Sequence, residues 1–124
     1  MNHNNASMTN GPLYIPANQT KTFYTKYFVG GKATVFACAP HMHLIGQKIK
    51  AYGINANGYT TKIINIPNWD FHWQRTYSFY QPLIINPGLT LWGEGFYNNT
   101  ASNTFNPNSP PVAISKGEST TDEM

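Results

Sequence analysis

The 124-residue chain has one cysteine, one arginine, little charge and no long apolar run. Only 10% of its residues are Asp, Glu, Lys or Arg, against about 25% in an average soluble protein. Seven of the eight cations are lysines scattered along the chain, and Arg75 stands alone. Nucleic-acid surfaces cluster their cations to neutralise phosphates, so the composition argues against that class despite a net charge of +3. Cys38 has no partner for a disulfide within the chain. No stretch approaches the ~20 apolar residues of a membrane-spanning helix. Met1-Asn2-His3-Asn4-Asn5 has neither the basic start nor the apolar stretch of a signal peptide. What is plentiful is different: 40% hydrophobic residues, 15% aromatics, 10 Gly and 9 Pro. That mixture suits short strands joined by many turns and excludes a helical bundle, a coiled coil or a histone-like protein.

The pattern along the chain agrees. Residues 1–19 are polar and punctuated by Gly11, Pro12 and Pro16, and read as a tail or linker. Thr20 to Val29 alternates and is rich in Thr, Tyr and Phe, predicting a strand turned by Gly30-Gly31. Further strands are expected over Ala33 to about Leu44, Gln47 to Ile54, Tyr59 to Ile66, Tyr77 to Ile85 and Leu89 to Tyr97. Asn55-Ala56-Asn57-Gly58 and Asn86-Pro87-Gly88 supply turns. Trp69 to Gln74 also alternates, with Trp69, Phe71 and Trp73 expected on one face and Asp70, His72 and Gln74 on the other. Residues 98–117 read as a long loop. Several short strands with regular turns predict an all-β antiparallel sandwich or barrel.

The chemistry concentrates in Cys38-Ala39-Pro40-His41-Met42-His43-Leu44-Ile45-Gly46. On a strand, residues i and i+2 share a face about 6.6 Å apart, from a rise of ~3.3 Å per residue. Two imidazoles at that spacing can reach one metal with bonds of about 2.0–2.1 Å. Parity predicts Phe36, Cys38, Met42 and Leu44 in the core, and His41 and His43 pointing away beside small residues. His72 is a third candidate, with a structural role near Asp70 or Gln74 as the simpler alternative. His3 falls in the polar tail. Cys38 reads as a small buried hydrophobe. Met124 ends a polar stretch, and its thioether beside two imidazoles would favour Cu(I), which soft sulfur ligands select.

Ala33 to Met124 resembles the C-terminal half of the copper type II, ascorbate-dependent monooxygenases, the family of dopamine β-monooxygenase and peptidylglycine α-hydroxylating monooxygenase. His41-Met42-His43-Leu44-Ile45-Gly46-Gln47-Lys48 is similar to the family's H-T-H-L-x-G-x-K. His72-Trp73-Gln74 resembles an H-F-Q segment, followed by Pro82 to Ile85 and Pro87-Gly88. Tyr97-Asn98 matches a Y-N, and Gly117 to Met124 resembles the segment that ends in E-M. The resemblance implies a jelly-roll-like β-sandwich in which His41, His43 and Met124 hold one copper. There dioxygen would be activated and an aliphatic C–H of a small-molecule or peptide-like substrate hydroxylated. It also implies a second copper on a preceding domain that passes on electrons from ascorbate, and a secreted, periplasmic or secretory-pathway setting.

On this reading, residues 20–124 form the oxygen-activating, methionine-bound copper domain, incomplete at the C-terminus and missing its last strand. The chain holds no histidine cluster for the electron-transfer copper, so a fragment inactive by itself is expected. Gly95 stands where the family carries a half-cystine. Ala39 stands where the peptidylglycine enzymes carry an arginine that grips a carboxylate, which argues against a C-terminal glycine substrate. Two alternatives remain. One is a non-catalytic β-sandwich module presenting Trp69, Trp73, Tyr80 and Trp92 to a glycan or protein. The other is a different H-x-H metalloenzyme such as a cupin, for which Gln47, Lys48 and Ile49 offer no acidic ligand.

Overall fold

The computed structural model describes residues 7–123. The chain runs β1 (Ser7–Met8), β2 (Tyr14–Ile15), β3 (Gln19–Val29), β4 (Ala33–Cys38), β5 (Gly46–Ile54), β6 (Thr60–Ile66), a 3₁₀ turn at Phe71–Trp73, β7 (Tyr77–Ile85), β8 (Leu89–Asn99) and β9 (Ile114–Ser115). All strand pairings are antiparallel: a five-stranded sheet ordered β1-β3-β8-β5-β6 and two-stranded sheets β2-β9 and β4-β7. This is the all-β sandwich that the alternation and turn chemistry predict.

The frame is one long ribbon. Val29 faces Leu89 at the end of the β3–β8 ladder. Four residues further along one strand and four back along the other, Ala33 faces Ile85. The β4–β7 pair therefore continues the same register into a second sheet. Gly30-Gly31 and Asn86-Pro87-Gly88 let both strands cross, and Gly88, at φ 86°, donates its N–H to the Val29 carbonyl at 2.9 Å. Val29, Ile85 and Leu89 are buried at this crossing, with Val35, Leu83 and Leu91 against them. Beyond it Val35 faces Leu83 but Ala37 faces Ser78, two residues on one strand against five on the other. The surplus in β7 holds Tyr80 and Pro82, and a bulge is where a proline without an N–H fits a strand.

The larger core cluster gathers Leu13, Ile15, Phe23, Met42, Ile45, Trp69, Tyr97 and Ile114. Its membership corrects several expectations. Residues 7–19 are built into the sandwich rather than forming a tail, because β1 pairs with β3, β2 pairs with β9, and Leu13 and Ile15 are buried. The second strand stops at Cys38 instead of Leu44, since Pro40 cannot donate to a ladder. Parity on β4 is the reverse of that expected: Val35 packs inward while Phe36 is 66% exposed. Trp69 to Gln74 is not a strand. Asp70 accepts the N–H of His72 at 2.8 Å and caps the 3₁₀ turn, leaving Trp69 buried and Trp73 exposed. The four aromatics considered as a binding platform fall on separate elements, and Trp69 is in the core.

Candidate metal centre

His41 and His43 lie in the irregular segment between β4 and β5, past Pro40. Their rings are neighbours, with centroids 4.9 Å apart and planes at 87°. The sequence spacing thus brings two imidazoles together, but not by the pleat of a strand. His41 is exposed and His43 is 3% exposed, so His43 does not point away from the core as parity predicts. Met42 between them is fully buried. Gly46 makes room for it: a Cβ there would lie 2.7 Å from Met42 Cβ and Cε.

Each ring is held through Nδ1. His43 Nδ1 donates to the Asp122 carbonyl at 3.1 Å. His41 Nδ1 donates to Gln74 Oε1. Gln74 is itself oriented, because its Nε2 donates to the Phe71 carbonyl at 2.8 Å and so turns the amide oxygen toward His41. A neutral imidazole that donates from Nδ1 carries its lone pair on Nε2. Hydrogen bonding at one ring nitrogen is how proteins fix the tautomer and aim the other at a metal.

Beneath the histidines sits Glu123, fully buried. Its two carboxylate oxygens accept the backbone N–H groups of His43 at 3.0 Å and Ile45 at 2.9 Å. Glu123 is in turn anchored by its own backbone, with its N–H bonded to the Ser115 carbonyl at 3.2 Å and its carbonyl to the Gly117 N–H at 3.0 Å. Tyr97, buried in the same region, has its phenol pushed well above the usual range by burial and then by the nearby Glu123 charge. These bonds tie the far end of the chain to the histidine segment across roughly 80 residues of sequence.

A family model described as the C-terminal domain of copper type II ascorbate-dependent monooxygenases matches residues 9–124. The chain belongs to this family. No curated protein matches it. Membership makes the chain a copper monooxygenase domain and places its two adjacent imidazoles in a family defined by copper and ascorbate.

Among the described residues of this monooxygenase domain, no group of three His, Cys, Asp or Glu side chains gathers to hold a metal. Two imidazoles are what the described residues supply, and Met124 lies outside them. His72 is not brought into the pair: its side chain is 69% exposed, 3.4 Å from Asp70, with its ring against Phe105 and against Phe71, which lies between it and His43. The expected structural contact with Asp70 is present, whereas Gln74 serves His41 instead. Cys38 is half-buried, and burial raises its thiol pKa. Sequence reasoning missed Glu123 and Gln74 as positioning groups. The available signals were an acid directly before Met124 and an amide two residues after His72.

Among the described residues no helix is long and apolar enough to cross a membrane.

Proposed function

We propose that this domain binds one copper, preferentially as Cu(I), through Nε2 of His41 and His43 and the thioether of Met124, and serves the oxygen-activating half of an ascorbate-dependent monooxygenase. The observation that carries the reading is the paired Nδ1 anchoring, which leaves one lone pair on each of two adjacent rings. Imidazole suits copper, and a thioether biases the set toward the reduced ion. Glu123 adds support, because its carboxylate bonds the backbone of His43 and its own backbone precedes residue 124 by one peptide unit. The alternative acidic ligand of a cupin-like site finds no support. Glu123 turns both carboxylate oxygens to backbone amides.

When bound, copper would supply one-electron redox chemistry toward dioxygen at an open coordination position. The protein's own contribution is positional. Gln74 and the Asp122 carbonyl hold the two Nδ1 protons, so neither ring can rotate without breaking a hydrogen bond. Glu123 holds the backbone between them and β5. Inserting one oxygen atom of dioxygen into a C–H bond while the other leaves as water takes two further electrons. The family's dependence on ascorbate names their source, and a second copper-bearing domain is the proposed carrier. The 124 residues alone are therefore expected not to sustain turnover, and a secreted or luminal location is the setting that fits.

X-ray absorption of the Cu(I)-loaded protein tests the ligand set. Two nitrogen-type scatterers and one sulfur are expected, with the sulfur lost in Met124→Ile. A spectrum without sulfur that Met124→Ile leaves unchanged would remove Met124 from the site.

A further inference from the structure

The inner face of the five-stranded sheet has a floor of small side chains beside His41. Gly93 and Gly95 of β8 sit opposite Thr25 and Phe23 of β3 and opposite Ala51 and Ile49 of β5. A Cβ at Gly93 would lie 2.7 Å from Thr25 Oγ1, and one at Gly95 would lie 3.0 Å from the Tyr97 ring. Glycine inside a strand weakens it and marks a place where something approaches the backbone closely. Thr25 Oγ1 and the Tyr97 ring take up that room, and over the same face lies a hollow of about 350 Å³ between the sheet and the segment Cys38 to His41. Its walls include Met8, Leu13, Phe23, Ile49, Ile64 and Tyr97. The volume falls in the range of small-molecule sites, about 300–1,000 Å³. A dry apolar cavity of about 150 Å³ holds benzene, so this one has room for a ring with a short chain.

The charges in the lining cancel. Lys50 and Glu94 are the two residues of fixed charge there, and they bond each other at 2.9 Å. They face one another across β5 and β8, out of phase with Ile49, Ala51, Gly93 and Gly95, so strand alternation sends both side chains to the outer face. The second Glu94 oxygen accepts the Tyr52 hydroxyl at 2.7 Å. Neither ion is left to meet a charge on a ligand, and a charged group buried without a partner loses its hydration uncompensated.

We infer that this hollow is the substrate pocket of the domain and that it takes a small, uncharged, apolar molecule, held with its reacting C–H end toward His41. The inference rests on the copper reading only for where the chemistry happens; the hollow and its lack of charge stand on the packing alone.

The test uses the metal-free 124-residue protein and three probes of nearly equal shape: 4-phenylbutan-1-ol, 4-phenylbutan-1-amine and 4-phenylbutanoate. Amide shifts are followed by two-dimensional NMR. The alcohol is expected to move Gly93, Gly95 and Thr25 and to bind at least tenfold more tightly than either ion. Ala51→Leu, which adds volume over the floor, should abolish the shifts, and its unchanged circular dichroism would confirm that it folds. A separate Cu(I) titration reports on His41 and His43. Probe binding without Cu(I) binding would sink the copper reading and keep the pocket. Cu(I) binding with no shifts from any probe would overturn the pocket. Equal affinity for all three probes, or tighter binding of an ion, would overturn the proposed neutrality.

Discussion

The two ends of the sandwich are held by different forces. At the crossing end, Val29, Ile85 and Leu89 meet through apolar contact, and two glycine-containing connections carry the ribbon from one sheet to the other. At the histidine end, the apolar cluster is laced with buried polar bonds between segments remote in sequence. Glu123 holds the backbone of His43 and Ile45. Asn99, fully buried, donates to the carbonyls of Ile15 and Val112 at 3.1 and 2.7 Å and accepts from Asn106 at 2.9 Å. Apolar packing is tolerant of geometry, whereas a buried hydrogen bond is directional and costly to leave unmade. The crossing end therefore needs only to be stable. The histidine end fixes where individual atoms sit, which is what the proposed metal centre demands.

That contrast can be broken by substitution. Glu123→Ala strands two buried amide donors, each worth about 1–3 kcal/mol when left without an acceptor. The expected loss is about 3–5 kcal/mol in urea unfolding, a large share of the ~5–15 kcal/mol available to a small domain. Cu(I) affinity should fall with it. Leu89→Ala at the crossing end should cost about 2–3 kcal/mol through lost burial and a cavity, while Cu(I) affinity stays as it was. If Leu89→Ala destabilised more than Glu123→Ala, or weakened metal binding as much, the two ends would not be distinct in kind.

The crossing end is also the legible one. Tyr77 to Ile85 is a strand with the expected bounds, and the strand starting at Gln19 ends at Val29 as its alternation predicts. Gly30-Gly31 and Asn86-Pro87-Gly88 interrupt the strands where expected, but only Pro87-Gly88 is a turn; Gly30-Gly31 is a bend between strands that do not pair with each other. Those features are local: period-two alternation and turn residues act within a few positions of themselves. The histidine end escaped because its determinants are not local. His43 is drawn inward by an acid 80 positions away, so parity counted along the strand has nothing to say about it. Leu13 and Ile15 sit in a stretch whose composition is that of a tail, and only pairing with Ile114 and Ser115 makes them core. Trp69 to Gln74 alternates like a strand, yet the Asp70 cap gives it a turn. The H-x-H pair itself was legible, because two histidines one residue apart stay neighbours in an extended segment as well as in a strand.

A smaller effect sharpens the comparison from within the histidine end. Gln74→Ala removes the acceptor for His41 Nδ1 and the donor to the half-buried Phe71 carbonyl, but strands no fully buried backbone group. Losing the partner that orients a metal-bound histidine commonly costs about 10–100-fold in affinity. The same loss is expected here for Cu(I), with a urea midpoint close to that of the parent protein. A midpoint shift as large as that of Glu123→Ala, with affinity retained, would make Gln74 a structural residue instead.

The smallest effect belongs to His72, the one described histidine outside the pair. Its side chain is 69% exposed. The bond that caps the 3₁₀ turn runs from its backbone N–H to Asp70, and an alanine would keep it. What His72→Ala removes is an exposed 3.4 Å contact with Asp70 and the ring edges against Phe71 and Phe105. Exposed pairs of this kind contribute little, so stability should stay within about 0.5 kcal/mol of the parent. Cu(I) affinity should likewise be preserved, in contrast with its collapse in His43→Ala. Competition against a chelating dye measures both. A loss in His72→Ala equal to that in His43→Ala would bring a third imidazole to the metal, leave no need for sulfur, and move the centre from the buried end of the sandwich toward its exposed 3₁₀ turn.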